Sequence, residues 1–324
     1  MSVRGLSVVV VGASSGIGRA TALAFAERGA RVTVAARRAD VLAEVARECR
    51  ARGAEAWTVP TDVTDPDRVE ALARSARGRF GRIDVWINNV GTGVFGPFNE
   101  APLALHRRTI ETNLLGAVYG AAAVLPVFRE QGHGTLINMV SIGGWAPVPF
   151  AASYAASKFG LRGFTASLRQ ELADEPDIHV CALFPATVDT PGFQHGANMS
   201  GRELRPGGPI YAPEDVAEAY VHLAMHPRDE MAVGWPSRAA QIAYGFAPGP
   251  TEHLMGAAFR RYLRRAKPAP RTEGALLHPV PAGTASSGGL REEKGTGGAK
   301  PLLALGLAGA LLLLGAAAVA RARR

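Results

Sequence analysis

The 324-residue chain is 47% hydrophobic and 20% charged, a balance that excludes general disorder and suits one large α/β domain with appendages. Its net charge of +8 is uneven: residues 1–252 carry 24 basic against 25 acidic side chains, residues 253–324 carry 12 against 3. A nucleic-acid binder would place a basic stripe on its folded body, so the neutral body argues against nucleic acid, and the basic tail suits anionic lipid head groups. Cys49 and Cys181 have neither disulfide-like nor metal-like spacing, and no metal site is expected. The opening MSVRGLSVVVVGASSG shows no signal-peptide pattern, so the body is expected to face the cytoplasm.

In chain order, residues 6–11, 31–36, 55–60, 84–89, 135–140 and 178–184 are predicted strands. They are apolar almost throughout, as parallel strands buried on both faces must be. Between them, 18–29, 39–53 and 65–81 show apolar positions at helical spacing and end in glycine. Longer helical patterns follow at 112–131 and 154–174, and another starts at Ala212. Repeated β-α-β units predict an α/β fold with a doubly wound parallel sheet of about seven strands and helices on both faces. Residues 186–211 break the rhythm with Gly, Pro and polar residues and are expected to form a loop over a site.

The catalytic body is therefore expected over residues 1–250. In 251–267, Leu254, Met255, Ala258, Phe259, Tyr262 and Leu263 share one helical face and four arginines the other. Such a basic amphipathic helix either lies on a membrane or docks on the body. Residues 268–300 are Pro/Gly/Ser-rich and expected as a flexible linker. Residues 301–320 are twenty consecutive non-polar residues, about 30 Å of helix, followed by a basic terminus at 321–324. The expectation is a single-pass C-terminal membrane anchor.

VVVVGASSGIGRA puts Gly12, Gly16 and Gly18 between the first strand and first helix, with Ser14, Ser15 and Ile17 among them. A glycine turn feeding a helix N-terminus lets backbone N–H groups approach a pyrophosphate. The second strand ends in Ala36-Arg37-Arg38, where an acidic residue would bind the ribose hydroxyls of NAD. A guanidinium fork suits a 2′-phosphate, so the expected cofactor is NADP(H), held by Arg37 and Arg38.

SIGGWAPVPFAASYAASKFG holds Ser141, Tyr154 and Lys158, the last two four apart and so on one helical face. With Asn113 in IETNLLGAVYG and the NNVG of Asn88–Gly91, residues 4–240 resemble the short-chain dehydrogenase/reductase family. That resemblance implies a Rossmann fold and hydride transfer between a dinucleotide and a carbonyl or alcohol. It implies Tyr154 as general acid/base, Ser141 on the substrate oxygen, Lys158 tuning Tyr154 and gripping the ribose, and Asn113 holding a water. A free tyrosine has a pKa near 10, and a neighbouring ammonium together with the positive charge of the oxidised nicotinamide is expected to lower it. Lys158 is the only lysine among residues 1–252.

By the same resemblance Asp62 and Val63 border the adenine, Asn89 and Gly91 close the cofactor pocket, and Pro185, Val188 and Thr190 border the nicotinamide. Val11, Val90 and Ala186 depart from the family pattern. Trp145, Pro147, Val148, Pro149 and Phe150 are expected to line the substrate pocket, with Val94, Phe95 and Phe98 on the other wall, so a small lipophilic carbonyl or alcohol compound is the expected substrate. A homodimer or homotetramer would follow from the family. The alternative is a non-catalytic NADP-binding redox-sensing or scaffold protein on the same fold.

Overall fold

The computed structural model describes residues 2–291. The expected membrane span at 301–320 and the basic terminus lie outside these residues.

Seven strands form one parallel sheet: β1 Ser7–Val11, β2 Arg31–Ala36, β3 Ala56–Pro60, β4 Val85–Asn88, β6 Gly134–Met139, β7 Ile178–Pro185 and β9 Glu230–Val233. Their spatial order is β3-β2-β1-β4-β6-β7-β9. The chain runs outward from β1 in one direction through β3, then returns to β4 and runs outward in the other. The order therefore reverses between β1 and β4, and a crevice opens there beyond the carboxyl ends of the strands. Six strands fall where the alternating apolar runs place them. The seventh, β9, is a short, half-buried edge strand with no continuous apolar run.

Helices α1 (Gly16–Glu27), α2 (Ala39–Ala51) and α8 (Pro213–Met225) cover one face. On the other lie α3 (Pro66–Phe80), α4 (Leu103–Ile110), α5 (Gly116–Gln131) and α6 (Ala152–Glu171). Phe25 from α1 and Phe128 from α5 are wholly buried on opposite faces. Each contributes roughly 1.5–3 kcal/mol through the apolar surface it removes from water. Asp65 starts α3 by accepting from the N–H groups of Asp67 and Arg68, and Gly81 ends it in the left-handed conformation.

A buried polar chain crosses the second face. The Asn88 Nδ2 donates to Asn138 Oδ1 at 2.9 Å, and the Asn138 Nδ2 donates to Thr165 Oγ1 at 3.0 Å. It ties β4 and β6 to α6, the helix that carries Tyr154 and Lys158. Leu103–Gln131 is long and apolar enough to cross a membrane, yet in this fold it is divided by a π-turn at Glu111–Leu115 and packs against α3 and α6.

Residues 186–211 are more ordered than a plain loop. They contain α7 (Gly192–His195) and β8 (Ala197–Asn198), which pairs in parallel with β5 (Val94–Phe95). After α9 (Trp235–Phe246), α10 (Pro248–Arg265) docks on the body: Phe259 meets Phe95 at 5.8 Å, and the Tyr262 hydroxyl donates to the Glu203 carbonyl. The stretch 268–291, expected as part of a free linker, instead lies along the body. Asn198 and Thr272 exchange backbone hydrogen bonds, and the Ala275 N–H donates to the His195 carbonyl. The groups it contributes are mostly its own main-chain carbonyls and amides, which leave no trace in composition.

Candidate active site

The crevice contains a cavity of about 650 Å³ reaching from the glycine turn to α10. Gly12 has φ +90°, and a Cβ on Gly18 would lie 2.1 Å from the Gly12 carbonyl oxygen. These glycines let the first turn of α1 close tightly on the strand end and present its unpaired N–H groups to the groove. Ser15 stands at the N-cap of α1 with no side-chain capping bond. Ser14, Gly16 and Ile17 line the cavity beside it.

Arg37 and Arg38 stand at the end of β2 on the cavity wall. Neither forms a salt bridge among the described residues; both donate to main-chain carbonyls, and Arg38 also reaches Ser14 Oγ at 3.3 Å. Burial lowers the pKa of both guanidiniums, which marks an environment that an anion would complete. The residues present therefore fit the phosphates of a dinucleotide.

Asp62 and Val63 also line the groove. Asp62 accepts from the Thr64 N–H at 3.0 Å and from Arg108 Nη2 at 2.7 Å. Burial opposes ionisation of its carboxyl, but these partners outweigh that and hold its pKa low. Arg108 projects from α4, and no local pattern in that helix announces it. Asn89 bonds the Gly12 carbonyl, while Val90 packs beneath Gly12. Gly91, Pro185, Val188 and Thr190 line the same cavity, as does Ala186. His195 joins them unforeseen; burial lowers its pKa.

Ser141, Tyr154 and Lys158 line the cavity together, while Asn113 lies behind it, bonded to Thr92 and Ser157. Tyr154 and Lys158 project from the first turns of α6, with the Lys158 Nζ 5.9 Å from the Tyr154 ring centre. The Tyr154 hydroxyl is hydrogen-bonded to Ser141. Ser141 has φ +133°, an unusual conformation for a residue with a Cβ, and its Oγ accepts from the Gly143 N–H. Such backbone strain concentrates at functional positions. Asn113 sits in the π-turn, a distortion that also gathers at functional sites. It accepts from the Thr92 N–H at 2.9 Å and donates to the Thr92 carbonyl at 2.7 Å. Asn113 therefore braces the loop whose Gly93 rests against Tyr154.

Without the nicotinamide's positive charge, burial raises the pKa of Tyr154 and only Ser141 lowers it; Lys158 is not among the causes. Burial also lowers the Lys158 ammonium from 10.5 to about 7, while its Nζ donates to the Met139 carbonyl at 2.8 Å. In the cofactor-free protein, then, Tyr154 rests as a phenol, ready to give a proton to an oxygen that gains charge.

The buried lysine has a thermodynamic signature. Its folded pKa lies below its unfolded value, so between about pH 7 and 10.5 the unfolded chain binds more protons and stability rises with pH. Cys49, pushed up to about 12, and Cys181, to about 11, act in the opposite sense only above pH 9. Between pH 7 and 9 the cofactor-free protein is expected to gain about 2 kcal/mol from this residue, at 1.36 kcal/mol per unit. Lys158→Met should remove that gain. Denaturant melts of both proteins at the two pH values check it; equal slopes would refute the assignment.

The substrate wall is revised in part. Val94 and Phe95 line the cavity. Trp145 does not: it is buried and stacks on Phe184 at 3.9 Å, because the tight turn Ile142–Gly144 directs it inward. Phe150, with φ +60°, lies beside Phe95 outside the cavity lining, and Phe98 is exposed against His106. Pro147 and Val148, with Met255, Phe259 and Tyr262 of α10, form the remaining apolar wall. The apolar face of α10 was visible as a pattern, but its target was not. The pair His222 and His226 gathers no third ligand, and no cluster of three metal-ligating side chains occurs among the described residues.

The short chain dehydrogenase family model matches residues 7–199, which hold the glycine turn and Asn113, Ser141, Tyr154 and Lys158. The chain belongs to the short chain dehydrogenase family. It is 35% identical over 273 residues to the uncharacterized oxidoreductase YxnA of Bacillus subtilis, covering 83% of this chain and 77% of that one. It is 33% identical over 229 residues to the ketoacyl reductase HetN of Nostoc, covering 71% and 78%. Among solved structures, L-sorbose reductase of Gluconobacter frateurii, complexed with NADPH and L-sorbose, superposes with a TM-score of 0.64 at 28% identity, covering 72% of this chain and 96% of that one. An alcohol dehydrogenase from Thermococcus sibiricus complexed with 5-hydroxy-NADP gives 0.62 at 28%, covering 71% and 96%. This short chain dehydrogenase is thus an oxidoreductase in which Ser141, Tyr154 and Lys158 line one cavity.

Proposed function

We propose that this short chain dehydrogenase transfers hydride between NADP(H) and the carbonyl or alcohol group of a small lipophilic substrate, working beside a membrane. The carrying observation is that Ser141, Tyr154 and Lys158 meet in one cavity whose far end bears Arg37 and Arg38. The NADP-bound states of the similar sorbose reductase and alcohol dehydrogenase support the cofactor choice.

When bound, the nicotinamide supplies or accepts the hydride. The protein's part is to hold the substrate oxygen and manage one proton. Ser141 donates a hydrogen bond to that oxygen, and the Tyr154 hydroxyl gives its proton as the carbonyl is reduced, or takes one back in the oxidising direction. Lys158 and Ser141 stabilise the phenolate left behind. Arg37 and Arg38 hold the 2′-phosphate, and the start of α1 the pyrophosphate.

The apolar wall of Val94, Phe95, Val148, Met255 and Phe259 supports a lipophilic substrate. Trp235, Ile242 and Phe246 support lipid contact: they share one face of α9, all exposed, and Trp235 also reaches the cavity mouth. The apolar stretch 301–320 continues that theme in sequence. The test offers full-length protein in membrane vesicles NADPH with lipophilic ketones and with sugar-like ketones. Sedimentation with the vesicles and NADPH consumption with the lipophilic set are expected. Turnover confined to sugars, or protein left in the supernatant, would refute the corresponding half.

A further inference from the structure

We propose that residues 272–291 form the outer wall of the dinucleotide groove and retain NADP(H) within it, an inference that rests on the cofactor reading above.

The segment crosses the groove from lip to lip. At the adenosine end, Arg37 Nη2 donates to the Ala275 carbonyl at 2.6 Å, and Arg38 Nη1 to the Val280 carbonyl at 3.0 Å. Leu276 is buried with Leu105, Ala197 and Met199. Midway, the Gly16 N–H donates to the Ala285 carbonyl at 2.9 Å, and Arg19 Nη1 to the Thr284 carbonyl at 2.9 Å. At the nicotinamide end the buried Asp189 accepts from Ser287 Oγ at 2.8 Å and from the N–H groups of Gly288 and Leu290 at 3.1 and 2.8 Å. These bonds fasten one segment to β2, α1 and the loop after β7, the three elements that border the groove.

The segment is a wall rather than a plug. The cavity of about 650 Å³ persists beneath it, with Ala275, Leu276, Pro279 and Val280 among its lining residues. That volume is within the range of ligand pockets. A guanidinium has five N–H groups; Arg37 spends two on the segment, leaving three for a phosphate. Gly16 is engaged, but the N–H groups of Ile17 and Gly18, also in the first turn of α1, have no intrahelical partners. Segment and phosphates can therefore be held by the same groups together. Cofactor entry and exit then require the segment to lift, so release of the spent dinucleotide and its replacement are slow steps of each turnover.

Three glycines permit a test within the full chain. A Cβ would lie 2.3 Å from the His195 carbonyl oxygen at Gly274, 2.6 Å from His195 Nε2 at Gly283 and 2.5 Å from the Thr190 carbonyl oxygen at Gly288. The triple variant Gly274→Val, Gly283→Val, Gly288→Val lifts the segment while every groove residue of the body stays native. Release of NADPH, followed by fluorescence after a chase with excess NADP⁺, is expected to be at least ~10-fold faster in the variant, with weaker affinity, as loss of the outer contacts requires. Unchanged release overturns the proposal; tighter NADPH binding overturns it by showing a segment that competes with the cofactor. Amide exchange in the unaltered chain needs no substitution: NADPH should slow exchange across 275–290, and faster exchange would overturn the wall. A full chain that binds no NADPH refutes the cofactor reading and this inference with it.

Discussion

Replacing Tyr154 with phenylalanine is expected to cut NADPH-dependent turnover by about 10²–10⁴-fold, the usual contribution of a positioned acid/base. The ring should keep its place, since Gly93 and Gly143 pack against its carbon atoms rather than its hydroxyl. NADPH affinity should accordingly stay within a few-fold of wild type. Steady-state rates with a reducible ketone, beside fluorescence titration with NADPH, separate the two quantities. Turnover near the wild-type rate would remove Tyr154 from the mechanism. Loss of NADPH binding instead would mean that the hydroxyl is structural.

The double substitution Arg37→Ala, Arg38→Ala is expected to weaken NADPH by at least ~10²-fold and to leave NADH within a few-fold. Each charge-assisted hydrogen bond to a phosphate contributes roughly 1.5–3 kcal/mol, and the 2′-phosphate is the group the two cofactors do not share. Both arginines also anchor the outer segment at Ala275 and Val280, so a part of the loss common to both cofactors would report that second role. Titration with each dinucleotide distinguishes them. Equal weakening of NADPH and NADH would show that the arginines hold the segment and do not read the phosphate.

The central parallel sheet was legible because β1, β2, β6 and β7 are buried on both faces and must be apolar throughout. The family resemblance was legible because the residue types and their order are specific, and Ser141, Tyr154 and Lys158 do line one cavity. Trp145 misled because proximity in sequence to Ser141 and Tyr154 says nothing of a tight turn that sends the side chain to Phe184. Arg108 reaches Asp62 from a separate helix, a contact that only tertiary structure creates. The segment 272–291 was hidden for another reason: it is held by carbonyl and amide groups that every residue carries, so its composition reads as a linker.

The distribution of lysine has a consequence for the chemistry of the surface. Up to residue 266 the chain has one lysine, Lys158, and it is buried; the next, Lys267, is exposed just beyond α10. Side-chain amines are therefore all but absent from the exterior of the folded body, whose positive charge is carried by guanidinium groups. Among the described residues, reagents that acylate amines would find Lys267 and would leave the body's arginine-bearing faces chemically untouched.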